Sequence, residues 1–187
     1  QSGIIKNIKK NIDGISKISS ERLIDELKKI TSSNGFLKLF KDKESLELIE
    51  IIFPQLKNIK NFIKHNSYAS ENFLKIDFIF LIALLVIDGT DNADYFLYKF
   101  NISKKDKKRL KLIDLFYREK VTINNFTEKN LNKLFYFNGR QAVIDIINFK
   151  IFTSKKVEKK LIKLLDIYKE KVIPTLPIGA ELLMSKF

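Results

Sequence analysis

The 187-residue sequence contains no cysteine. Disulfide frameworks, thiolate metal sites and cysteine nucleophiles are excluded on that ground. The single histidine, His65, excludes any site that needs two imidazoles. Glycine (6) and proline (3) are scarce, whereas an all-β chain needs a turn roughly every 8–12 residues. Long apolar runs are also missing. The longest covers residues 78–87, ten in a row, where a membrane-spanning helix needs about 20. No signal-peptide pattern is visible. A cytoplasmic chain with no membrane partner is the expectation. Gln1-Ser2-Gly3 does not read as a natural start, so the fold reasoning leaves it aside and the chain is expected to be a piece of a longer parent.

Positive charge is abundant. Thirty-five Lys and Arg face 22 Asp and Glu, a net charge of +13. Only Arg22, Arg109, Arg118 and Arg140 are arginines; the rest of the excess is lysine. Lysine beside plentiful Ile and Asn is also what an AT-rich genome encodes, but +13 on a small chain favours polyanionic partners through counterion release. With 45% apolar and 12% aromatic residues, the chain has the composition of a globular protein rather than a disordered one.

The apolar spacing is helical almost throughout. Ile4, Ile5, Ile8, Ile12 and Ile15 follow one helical face. Ser19 or Ser20 is placed to cap a helix carrying Leu23, Ile24, Leu27 and Ile30. The stretch 32–35 reads as a turn, and a short helix over 36–40 follows. A helix over 43–53 is stopped by Pro54, and residues 57–64 suggest another. The polar segment 65–70 reads as a loop and a weak boundary. Residues 71–87 read as one central, buried helix. Short helices follow over 92–100 and from a Ser103/Asp106 capping box to Arg118. One opens at Thr127, Asn138-Gly139 breaks it, and another covers 140–149. Ser154 to Glu158 reads as the cap of a last long helix through Tyr168. Pro174 and Pro177 end it, and 178–184 allows a further turn or two. Val121-Thr122-Ile123 is β-prone but too short to matter. The fold class expected is all-α: a multi-helix array of about ten helices with no significant sheet.

Catalytic signatures are lacking. There is no Gly-rich phosphate loop, GxGxxG or GxSxG, and no metal site or cofactor is expected in this chain. Carboxylate pairs such as Asp25/Glu26 and Glu47/Glu50 fit solvated helix-surface pairing. His65, beside Lys64 and Asn66, has no orienting partner of the kind a base requires. The basic clusters say more. Lys104, Lys105, Lys107, Lys108, Arg109 and Lys111 crowd one helix start, where the dipole adds to anion attraction. Lys155, Lys156, Lys159, Lys160 and Lys163 form a stripe opposite Val157, Leu161, Leu164 and Leu165. Either set can track a phosphate backbone or form a plain solvated face. Among Phe135, Tyr136 and Phe137 at least one must face outward. Tyr136 could stack on a base, though such runs are more often core.

One stretch resembles a known family. Glu21-Arg22-Leu23-Ile24-Asp25-Glu26-Leu27 is similar to the Glu-Arg-x-x-x-Glu-Leu motif in the neck of bacterial tRNA nucleotidyltransferases and poly(A) polymerases. The segment from Leu46 to Phe53-Pro54-Gln55-Leu56 resembles the Leu-rich, Pro-containing phrase that follows it there. Pro177-Ile178-Gly179-Ala180-Glu181-Leu182-Leu183 resembles the family's Pro-x-x-Gly-x-Asp-Leu-Leu segment. The resemblance implies a neck-like helical RNA-binding region over 4–64 and a body- and tail-like region over 71–187. It also implies a catalytic head absent from this chain, working with Mg²⁺ and CTP or ATP. The partner it implies is tRNA or another RNA 3′ end. Glu21, Arg22 and Glu26 are then a structural brace, with Arg22 paired to a carboxylate or a helix-end carbonyl. The rival expectation is a helical protein–protein interaction module marked by a contiguous apolar patch.

Overall fold

The computed structural model describes residues 2–15, 17–33, 36–39, 41–60, 66–119 and 126–172. Its elements are α1 (Ser2–Lys10), α2 (Ile12–Ile15), α3 (Ser20–Thr31), α4 (Phe36–Leu39), α5 (Lys43–Ile52) and α6 (Ser67–Asn72). A 3₁₀ turn (Phe73–Lys75) leads to α7 (Phe78–Val86), α8 (Asn92–Lys99), α9 (Lys104–Arg118), α10 (Glu128–Thr153) and α11 (Lys159–Glu170). No strand occurs among the described residues, so the chain is all-α. Residues 34, 35 and 40, His65, Val121 to Ile123 and the 174–184 segment lie outside the described residues.

Short polar side chains set most of the helix starts, each accepting a hydrogen bond from an otherwise orphaned backbone N–H. Ser19 accepts from Arg22 N at 3.4 Å, and Asp42 from Ser45 N at 2.9 Å. Ser103 accepts from Asp106 N at 3.1 Å and donates its hydroxyl to Asp106 Oδ2 at 2.7 Å. Thr127 accepts from Asn130 N at 3.3 Å. Pro54 stands just beyond α5, whose last cap is Phe53.

Five local expectations need correction. The first helix breaks at Asn11, where both the backbone N–H and the side-chain amide turn back onto Asn7 O. Of the helix expected over 57–64, residues 57–60 run as turns, with Asn58 N donating across to Leu85 O at 3.0 Å, and 61–64 lie outside the described residues. The long 71–87 helix is instead two, because Asp77 caps a fresh start by accepting from Phe80 N at 3.0 Å. Likewise 65–70 is not all loop; Asn66 caps α6 through Ala69 N at 2.9 Å. Finally, Ser154 closes α10, its hydroxyl donating to Lys150 O at 2.6 Å, and α11 begins only after Glu158.

Two apolar cores result. In the first, α7 is buried from Ile79 to Val86. It is flanked by α8, α9 and α10 and meets Ile24, Leu27, Phe36, Leu46, Ile49, Phe53, Leu56 and Ile59 from the N-terminal third. Phe80 lies edge-on to Phe152 at 5.5 Å. The second core gathers Phe126, Leu131, Phe135, Val143, Ile147, Leu161, Leu165 and Tyr168 where α11 packs back along α10. Gly139 separates the two halves of α10 with φ 81° and ψ 176°, a conformation essentially confined to glycine. The break expected at Asn138-Gly139 is therefore real.

Side-chain amides stitch these parts together. Asn92 Nδ2 donates to Gln55 O at 2.8 Å and Val86 O at 2.7 Å, tying the turns after α5 to the end of α7. Asn66 Nδ2 donates to Ile151 O at 2.7 Å and Ser154 O at 2.8 Å, tying the start of α6 to the end of α10.

Candidate nucleic-acid interface

The outward stripe of α9 is Lys104, Lys108, Lys111 and Leu115, all exposed and spaced at helical intervals, with Lys105 beside it. Leu110 and Ile113 point the other way into the first core. Lys107 is half-buried. The side chains of Lys104, Lys105, Lys107 and Lys108 make no hydrogen bond or ion pair among the described residues, while Lys111 Nζ stands 3.9 Å from Asp94 Oδ1.

Arg109 departs from this group. Its guanidinium turns inward and is held by two carboxylates. Nη1 and Nη2 donate to the two oxygens of Asp77 at 2.9 and 2.6 Å. Nη2 also donates to Asp145 Oδ1 at 2.8 Å, and Nε donates to Asp145 Oδ2. Gln141 Nε2 adds a bond to Asp145 Oδ1 at 2.9 Å. Burial works against the charge on Arg109, but its hydrogen bonds to Asp145 and Asp77 outweigh it and raise the guanidinium above its ordinary pKa. Burial also works against the Asp77 carboxylate, which Arg109 and the Phe80 N–H nevertheless hold below its ordinary range. With its donors engaged by the fold, Arg109 is not free for phosphate. It locks α9 to the start of α7 and the middle of α10.

A second ion pair closes the other end of α9. Arg118 Nη2 reaches Asp114 Oδ2 at 2.7 Å and Asp94 Oδ2 at 3.0 Å. Burial pushes the Asp114 carboxyl up, against the pull of Arg118. Nearby, a cavity of about 460 Å³ between α9 and α10 is walled by Phe116, Tyr117, Phe126 and Phe149, with Arg118 and Lys150 on its lining.

Lys155 and Lys156 follow α10, and Lys159, Lys160 and Lys163 lie on α11; all five are exposed without partners among the described residues. Leu161 and Leu165 are buried on the opposite side of α11, as the spacing predicts. The two lysine sets are not brought together. Arg109 sits against Asp145 and Tyr117 against Phe149, so α9 starts at one end of the second half of α10 and Lys155 follows its other end. From Asp145 to Thr153 alone is about 12 Å of helix axis.

The pairing expected of Arg22 is not found. Arg22 is exposed, and its guanidinium has no hydrogen bond or ion pair among the described residues. Glu21 lies exposed in the first turn of α3, where the helix dipole suits a carboxylate. Glu26 pairs only with Lys29, at 2.8 Å within the same helix. The contacts that do cross elements in this region are Lys9 with Glu47 and Lys60 with Glu50. Of the aromatic triplet, Phe135 is buried, and Tyr136 and Phe137 are exposed. Among the described residues no three His, Asp or Glu side chains gather as metal ligands. No described helix is long and apolar enough to cross a membrane.

Residues 3–60 match a protein-family model, the probable RNA and SrmB-binding site of polymerase A. The matched stretch runs from α1 to the turns after α5 and contains the Glu21–Leu27 and Leu46–Leu56 motifs. The match supports RNA as a partner. No curated protein matches the chain, and no solved structure does either. The matched stretch holds 12 basic and 8 acidic residues, so most of the +13 lies beyond it, in the part that carries α9 and α11.

Proposed function

We propose that this chain is the RNA-holding portion of a tRNA nucleotidyltransferase or poly(A) polymerase. A neck-like region over 4–64 and a body- and tail-like region over 71–187 grip tRNA or another RNA 3′ end. A catalytic head elsewhere in the parent, using Mg²⁺ with CTP or ATP, extends that end. The observation that carries the reading is the match of residues 3–60 to the RNA-binding site of polymerase A. The partner-free lysines of α9 and α11 support it. Ammonium groups on exposed helix faces bind phosphate oxygens without reading bases, as holding many RNAs by one surface requires.

The test is a filter-binding titration of tRNA against salt. Affinity is expected to fall linearly on a log–log plot. Engagement of about six lysines costs about 10³-fold between 50 and 200 mM salt. The chain alone is expected not to incorporate labelled ATP. Absent or salt-independent binding overturns the RNA-holding reading, and incorporation overturns the separate head. A second reading, a helical protein-docking module, draws on one feature. Ile12, Ile15, Ile18, Leu23, Ile51 and Ile52 line a shallow groove of about 240 Å³ within the matched stretch. It predicts a partner whose binding survives high salt.

A further inference from the structure

Six tyrosines occur in the sequence, and the fold uses four of them. Tyr68 meets Phe152 edge-on at 6.2 Å, and Tyr117 meets Phe149 at 5.6 Å. Tyr136 lies against Phe137 at 5.3 Å. Tyr168 packs on Phe135 at 5.7 Å and donates its hydroxyl to Asn132 Oδ1 at 2.7 Å. The side chains of Tyr95 and Tyr98, both on α8, have neither a ring contact nor a hydrogen bond among the described residues. Tyr95 is 54% exposed and Tyr98 88%, the highest exposure of any large apolar or aromatic side chain described.

Their surroundings are cationic. The chain doubles back after α8 through 100–103 into α9, and the two helices pack together. Asp94, one turn before Tyr98 on α8, faces Lys111 and Arg118 of α9, so its charge is already answered. Tyr98 follows Asp94 by four residues, which places it on the same side of α8. It is displaced towards the end that joins the lysine-rich start of α9. The exposed stripe Lys104, Lys108 and Lys111 extends over about 10 Å of helix axis. Two open phenol rings thus lie on the helix that leads into, and packs against, the one bearing this lysine row.

We propose that the outer face of the α8–α9 hairpin binds unpaired RNA. Tyr98 and Tyr95 stack on bases while Lys104, Lys108 and Lys111 follow the phosphates. The inference rests on the reading of the chain as an RNA binder and adds the form of RNA that this face takes. Stacking needs a base with an open face. A duplex keeps its base faces covered, so it would engage the lysines and leave the tyrosines idle. This face lies outside the stretch matched to the RNA-binding site, and it supplies both elements of single-strand recognition: a charged track and aromatic platforms.

The test uses the full chain, a labelled unpaired 12-nucleotide RNA and a blunt duplex of the same length. The Tyr95→Leu/Tyr98→Leu variant is expected to bind the unpaired RNA roughly 5- to 100-fold more weakly, with duplex affinity and salt slope unchanged. The Lys104→Gln/Lys108→Gln/Lys111→Gln variant should flatten the salt slope by about 2. The sequence contains no tryptophan, so Tyr98→Trp places a single indole on the face. Its emission should be quenched by the unpaired RNA and not by the duplex. If the unaltered chain binds the 12-mer but the leucine variant binds equally well, or the indole does not respond, this face is not the site and the RNA-holding reading stands. If the unaltered chain binds no RNA, both fall.

Discussion

Arg109 sits in a run of lysines, yet its charge is spent inside the molecule. Its side chain is 17% exposed and that of Asp145 only 3%. Removing one partner of such a pair leaves the other charged and unanswered, at a cost of about 3–5 kcal/mol. Arg109→Leu is therefore expected to lower unfolding free energy by that order in a urea titration. Lys105→Gln, at an exposed position four residues before, is expected to stay within about 0.5 kcal/mol of the original. A comparable loss from both would mean that the Arg109–Asp145 contact carries no special weight. The sequence does contain a signal for this pair. Asp145 interrupts the apolar run Val143, Ile144, Ile146, Ile147, and a carboxylate on a buried helix face needs a cation. Nothing local says which cation, because Arg109 is 36 residues away and one of six basic residues in its cluster. The same reasoning fails for Arg22, whose sequence neighbourhood fits a motif while its side chain is exposed and has no polar partner among the described residues.

Helices were legible wherever an apolar face recurred every three to four residues and a hydroxyl or carboxylate preceded it. The starts of α3, α9 and α10 are of this kind. Periodicity misleads where it continues across a break. Residues 71–87 are apolar enough to read as one helix, and only Asp77, a capping side chain inside the run, marks the fresh start of α7. Ser154 is ambiguous for the converse reason: the same hydroxyl can close one helix or open the next, and here it closes α10. Gly139 was readable because no other residue fits its backbone. Nothing lies within 4 Å of where a Cβ would sit, so the obstacle is conformational and not steric crowding. Gly139→Ala is expected to cost about 1–3 kcal/mol, measured by thermal or urea unfolding. An unchanged midpoint would show that α10 straightens through this point without penalty.

At the scale of the whole molecule, the all-helical class followed from composition and period, whereas the joining of the parts did not. The larger core takes side chains from both sides of the polar 65–70 segment. The amide of Asn66 closes that junction on two carbonyls more than 80 residues away. Asn66→Ala removes both donors and the cap of α6 together. We expect a loss of about 1–3 kcal/mol, with amide exchange accelerated at α6 and at the end of α10. Faster exchange at α6 alone would reduce Asn66 to a local cap. The stretch matched to an RNA-binding site is also not a freestanding unit. Leu27, Phe36, Leu46, Phe53 and Ile59 share one core with α7 and its neighbours. Severed after residue 60, it would display a greasy flank to solvent and strip the cover from the remainder, so whatever grips RNA there is inherited by the ensemble and cannot be lifted out as a cassette.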